Sequence, residues 1–197
     1  MEFLPNLIFA ILLFTGIGFF ARNISKLKRN IDLGKDVDTS DQTKIRWKNM
    51  ARIALGQSKM VRRPIAGILH IVVYVGFVVI NIEVLEIIID GLFGTHRIFS
   101  GIGSLYGVLI GTFEILAALV FVAVIIFWFR RNVVKIQRFM KSEMKGWPKL
   151  DGNLILYFEI VLMGLFIIMN ATDVEFQSTN SGNIISQFFA PMFEGYN

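Results

Sequence analysis

An all-α integral membrane bundle of four transmembrane helices is predicted for this chain, on three observations. Four apolar stretches are each long enough to cross a bilayer core of about 30 Å, which takes roughly 20 residues of helix. Hydrophobic residues make up 54% of the 197, and the mean hydropathy of +0.61 is too high for a soluble fold of this size. Nineteen of the twenty lysines and arginines fall in only two of the connecting segments. Lipid-facing backbone must satisfy its own polar groups, so only helices and closed barrels span a membrane. These runs are too long and too uniformly apolar for barrel strands. The length allows a single membrane domain.

The first span covers 4–21. No basic residue precedes it, basic residues follow it, and no small-residue cleavage site closes it. It reads as a retained helix with its N-terminus outside rather than as a signal peptide. The segment 22–63 comes next, with twelve Lys and Arg. Its part Ile24–Asp41 is polar and mixed in charge, with Asp36, Asp38 and Asp41 among lysines. From Thr43, the pattern Ile45, Trp47, Met50, Ile53 and Ala54 predicts a short helix along the membrane surface, with Trp47 at headgroup level. Arg62-Arg63-Pro64 opens the second span, 64–89: two interfacial cations and a proline in a helix's first turn, where it is tolerated.

Asp90-Gly91-Leu92-Phe93-Gly94-Thr95-His96 predicts a compact outer turn. The third span, 105–129, closes on Trp128-Phe129-Arg130-Arg131, an aromatic anchor followed by a basic stop. Val133, Ile136, Phe139 and Met140 then recur at helical spacing and predict that this helix continues past the membrane surface. Gly146-Trp147-Pro148 breaks it before the fourth span, 154–170. In the tail 171–197, Ile184–Phe193 is apolar but too short to span. It is expected to lie in the outer interface or to lead into a further helix.

Orientation follows from the cations. The segment 22–63 holds twelve, 130–153 holds seven, and Arg97 is the remaining one. The positive-inside rule makes these two segments cytoplasmic and places the N-terminus, 90–104 and the tail outside. Because the cations flank membrane spans, anionic lipid is their expected partner, and nucleic acid is not. With no cysteine, the chain has no disulfide, no thiolate nucleophile and no Cys-ligated iron–sulfur cluster of its own.

Polar groups inside the spans are few, and each is a functional candidate. His70 lies about two turns inside the cytoplasmic end of the second helix. At 100° per residue, Tyr74, Phe77, Asn81, Val84 and Ile88 fall within about 40° of its direction. An axial nitrogen with flat apolar walls and a few polar groups is the surface a buried b-type haem needs. The alternative is a histidine hydrogen-bonded to a neighbouring helix. His96 is a weak second ligand candidate, because it lies in the outer turn. Glu83, Glu86 and Asp90 form an acidic cluster roughly 160–220° away from His70 on the same helix. Three carboxylates this close cannot all ionise cheaply in a low dielectric. Glu83, Glu86 and, on the third span, Glu114 are therefore candidates for a proton or cation path. Asp90 reads as a helix end wetted by the outer interface, beside Arg97. Glu114 and Glu159 are each expected either to pair with a polar group on a neighbouring helix or to stand as single carboxyls. Gly16, Gly18, Gly107 and Gly111 read as helix–helix contact points.

Longer motifs carry a resemblance. Arg46-Trp47-Lys48-Asn49-Met50, Ala54-Leu55-Gly56-Gln57-Ser58-Lys59-Met60, Arg63-Pro64 leading into Gly67-Ile68-Leu69-His70, Asn81-Ile82-Glu83-Val84-Leu85-Glu86 and Asp90-Gly91-Leu92-Phe93-Gly94-Thr95-His96-Arg97 stand in order along the chain. Together they resemble the N-terminal membrane region of bacterial membrane-bound iron–sulfur oxidoreductases related to heterodisulfide reductase. That region is similar to the nitrate reductase gamma subunit, a cytochrome b. The resemblance implies haem b held between histidines of the second span and of a later span, with His70 matching the second-span position. It also implies quinone or quinol as the membrane redox partner, and [4Fe–4S] clusters in a cytoplasmic Cys-rich domain or subunit. Family members continue into further spans and that domain. The sequence ending at Asn197 is therefore expected to be part of a longer protein, a truncated product, or one half of a split one. On its own it supplies half of a bis-histidine site.

The resulting expectation is a membrane electron-transfer module of the bacterial inner membrane. It relays electrons between the quinone pool and a cytoplasmic iron–sulfur partner, with haem b on His70 and with Tyr74 and Asn81 beside it. No complete catalytic site lies in this chain. The alternative is a haem-free anchor or proton- or cation-conducting subunit that uses the second-helix carboxylates.

Overall fold

Each apolar run of the sequence forms a helix in the computed structural model, and each helix outlasts its run. The structure describes residues 3–35, 38, 40–62, 64–179, 181–193 and 195. Asp36, Arg63 and Asn197, named above, lie outside the described residues. The helices are α1 (Leu4–Asp32), α2 (Thr43–Met50), α3 (Pro64–Phe93), α4 (Ser104–Asn132), α5 (Trp147–Thr172) and α6 (Val174–Ser178). No strand occurs among the described residues. Four of the helices, α1, α3, α4 and α5, are long and apolar enough to cross a membrane. The chain is an all-α, multi-pass membrane protein.

The first departure from the sequence reading is at the end of α1. The polar segment after Ala21 is helical as far as Asp32. Its lysines and arginines are good helix formers, and Lys28 Nζ bonds Asp32 Oδ2 at 2.8 Å one turn on. That exposed pair adds a few tenths of a kcal/mol, about 0.3–0.5. Beyond it, Asp38 accepts the Ser40 backbone N–H at 2.9 Å. Hydrogen bonds from the Ser40 side chain and then its backbone hold the Asp38 carboxyl below the ordinary range.

The second departure is at the end of α4. The helical spacing of Val133, Ile136, Phe139 and Met140 does not extend the helix, which stops at Asn132. Lys135 takes the left-handed conformation with φ 50°, and a short 3₁₀ turn follows over Gln137–Met140. Arg131 accounts for the stop. Its guanidinium lies 5.2 Å from the centroid of the Phe139 ring, and its Nη2 donates to Pro148 O at 3.1 Å and Lys149 O at 3.2 Å. The chain thus folds back so that the end of α4 meets the start of α5. Asn132 and Asn153 exchange amide hydrogen bonds of 3.3 and 3.0 Å beside it. Gly146-Trp147-Pro148 does start α5, with proline in its first turn.

The chain divides into two compact units. The first is Met1–Arg62 with Leu85–Ile98, so it holds α1, α2 and the last part of α3. In it, Asn6 Nδ2 donates to Gly91 O at 2.9 Å, and the Phe9 ring lies against Gly91. Asp90 accepts the Thr95 hydroxyl and the backbone N–H groups of Arg97 (2.7 Å) and Ile98 (3.3 Å). α3 runs on to Phe93, so Asp90–Phe93 of the expected turn are helical, and Asp90 ties the shorter turn that follows. α2 is present where the sequence placed a short helix, and it runs on as a π turn over Ala51–Leu55.

The second unit is Arg63–Val84 with Phe99–Asn197. α4 is its axis. Ile110, Phe113 and Ala117 of α4 have no exposed surface, and they pack with Ile80, Tyr106, Phe166 and Phe176. Burial of one such large apolar side chain contributes about 1.5–3 kcal/mol relative to water.

Candidate functional site

The sequence-chosen residues separate by environment. His70 and Tyr74, in the first three turns of α3, are half-buried. Phe77 is 63% exposed, and Asn81, on the same stripe, is also exposed. The Asn81 side-chain amide turns back onto Phe77 O at 2.5 Å, a local bond that leaves its face outward. The other face of α3 is inward: Gly76 and Ile80 are buried, and Glu83 is only 2% exposed. Glu86, in the other unit, is likewise 2% exposed. His96 is exposed in the turn that Asp90 ties. Glu159 on α5 is half-buried.

A haem site needs an axial nitrogen and flat apolar walls. The residues present fit one side of such a crevice: the His70 imidazole, the outward Phe77 ring, and Val84 at 41% exposure. No group of three or more His, Cys, Asp or Glu gathers as a metal site among the described residues.

Glu114 is where the structure adds most. It sits on α4 with no exposed surface, and three donors converge on its carboxylate. Asn170 Nδ2 of α5 donates to Oε1 at 3.1 Å. The backbone N–H groups of Ile185 and Ser186 donate to Oε2 at 2.7 and 3.1 Å. The network extends outward. Gln177 Nε2 of α6 donates to Asn170 O and to Ser186 Oγ, both at 2.8 Å, and Asn183 Nδ2 donates to Gln177 Oε1 at 3.1 Å. A buried acceptor with its donors satisfied is what low dielectric demands.

This network also fixes the start of the apolar stretch Ile184–Phe193. Its first residues fold against α4, and two 3₁₀ turns follow, Ser186–Phe188 and Ala190–Met192. Gly107 and Gly111 are contact points, but for this segment rather than for a helix. A methyl on Gly107 would collide with Ser181, and one on Gly111 would lie 2.8 Å from Ile184 Cδ1. Gly182 has φ 93°, and a methyl there would lie 2.6 Å from Gly107 O. Gly16 and Gly18 make no such contact: nothing described lies within 4 Å of a methyl on either.

Sequence reasoning singled out Glu114 but not Gln177, Asn183 or Ser186. A signal was available. A buried carboxylate needs donors, and the tail carries Asn, Gln and Ser interleaved with aromatics.

Comparison with protein-family models, with curated proteins and with solved structures finds no match to this chain.

Proposed function

We propose that this chain is the membrane electron-transfer module of an iron–sulfur/cytochrome b oxidoreductase in a bacterial inner membrane, with its basic segments in the cytoplasm. It would serve between the quinone pool and a cytoplasmic iron–sulfur domain or subunit. Support for orientation comes from the nineteen cations on one side. Support for the redox role comes from the resemblance of the motifs between Arg46 and Arg97.

One structural observation carries the reading. α3 turns its buried face inward through Gly76, Ile80 and Glu83, and on the His70 stripe it leaves Phe77 and Asn81 exposed and His70 half-buried. A half-buried imidazole beside the exposed Phe77 and Asn81 on a membrane helix suits a cofactor shared with a helix from outside this chain. His70 would be the axial ligand, Tyr74 and Phe77 would flank the macrocycle, and Asn81 would offer a polar group. Haem b, when bound, supplies one-electron transfer, and the protein sets its potential through the axial ligand and burial.

The test is a reduced-minus-oxidised spectrum of the purified native complex. Haem b bands that disappear in His70→Ala support the reading. A native complex without a Soret band overturns it.

A second reading has its own observation. Glu83 and Glu86 are each 2% exposed, and intramembrane carboxylates commonly mark proton or cation paths. On that reading the chain is a haem-free anchor or conducting subunit, and Glu83→Gln blocks transport in reconstituted vesicles.

A further inference from the structure

A second place in the fold gathers charge and apolar surface around a cleft. It lies in the unit of α4 and α5, where the start of α3 meets the turn after α4. The cleft has a volume of about 250 Å³. Pro64, Ile65 and Phe139 form an apolar wall, and Arg130 and Arg138 supply two cations. Arg130 is half-buried and Arg138 exposed, and neither makes a hydrogen bond or ion pair among the described residues. This sets them apart from Arg131, whose guanidinium is spent on Pro148, Lys149 and the Phe139 ring.

We propose that this cleft binds the phosphate headgroup of an anionic phospholipid, held by Arg130 and Arg138, with the acyl chain lying along α3. Two guanidiniums beside one cleft form charge-assisted, bidentate bonds to a phosphate. The C-terminus of α4 alone favours cations, so a single arginine there is explained by the helix dipole. The second arginine is not explained that way: Arg138 comes from the 3₁₀ turn beyond the helix. The first turn of α3, with Pro64 and Ile65 in the cleft wall, adds the positive end of a helix dipole. Ile65 is 64% exposed and Ile68 is 62% exposed, which gives an apolar flank leading from the cleft along a membrane-spanning helix. A soluble anion would need the arginines but not that flank. Basic pockets between membrane helices are recurrent headgroup sites.

Native mass spectrometry of the full chain in detergent tests this, with phosphatidylglycerol and phosphatidylcholine as probes. The chain should retain phosphatidylglycerol at about tenfold lower lipid concentration than phosphatidylcholine. Arg130→Gln with Arg138→Gln should abolish that preference, whereas the charge-matched control Lys26→Gln with Arg29→Gln should keep it. Arg130→Lys with Arg138→Lys guards against misfolding: it keeps the charge, loses the bidentate geometry, and should retain part of the preference. Equal loss in the α1 control would overturn the site in favour of diffuse charge. An unchanged preference in both arginine pairs overturns it as well. Displacement of the lipid by millimolar inorganic phosphate would assign the cleft to a free anion instead.

Discussion

Glu114 of α4 and Asn170 of α5 meet with no surface exposed on either, through a hydrogen bond of 3.1 Å from Asn170 Nδ2 to Glu114 Oε1. The bond joins the two helices and orients the carboxylate. Its other oxygen then receives the backbone of Ile185 and Ser186. A polar pair inside a membrane bundle is worth about 0.6–2 kcal/mol in such settings. Here its larger effect is to fix where the tail docks.

Glu114→Ala removes the acceptor of all three donors. Orphaned buried groups cost about 1–3 kcal/mol each, so the variant should lose about 3 kcal/mol of local stability. Amide exchange at Ile185 and Ser186 should speed up by about a hundredfold. Glu114→Gln keeps one carbonyl acceptor and sets its NH₂ against donors, so its effect should be intermediate. Wild-type protection in Glu114→Ala would mean that the tail is held elsewhere.

Gly111→Val should displace the tail by steric contact, since even a methyl lies 2.8 Å from Ile184 Cδ1. Overpacking of this kind costs about 1–3 kcal/mol. Gly16→Ala should be silent, because nothing described lies within 4 Å of the added carbon. Limited proteolysis of 181–193 separates the two: cutting should accelerate in Gly111→Val alone.

Arg131→Lys should loosen the junction of α4 and α5. Lysine has no planar fork for the two carbonyls of Pro148 and Lys149, and it stacks less well on Phe139. A loss of about 1–2 kcal/mol is expected in detergent unfolding. Arg138→Lys, whose side chain has no partner among the described residues, should leave the midpoint unchanged.

His70→Ala and Glu83→Gln divide the two functional readings. In the electron-transfer reading, His70→Ala removes the haem b bands of the native complex and Glu83→Gln keeps them. In the conducting-subunit reading, Glu83→Gln stops ion or proton flux and His70→Ala leaves it intact.

What the sequence could reveal depended on the range over which each feature is decided. The four membrane helices were legible because hydropathy sums over a local window, and a long apolar run has few other outcomes. Pro64 and Gly146-Trp147-Pro148 marked helix starts for equally local reasons. The end of α4 was misread from residues with the correct helical period. Periodicity does not record that the Arg131 guanidinium finds Phe139 and two carbonyls of the next helix. The stripe of His70 could be placed by counting 100° per residue, but the exposure of Phe77 and Asn81 on it could not.

By itself, the sequence determined the all-α class, the four apolar helices and the concentration of positive charge in two segments. Each is a sum over neighbouring residues. Only the tertiary structure decided that Glu114 belongs with Asn170, Ile185 and Ser186, 56 to 72 residues further along the chain. It also decided that Gly107 and Gly111 receive the tail rather than a helix. The physical reason is common to both. A buried carboxylate must find donors and a bare helix face must be covered, but neither need states which distant segment will meet it.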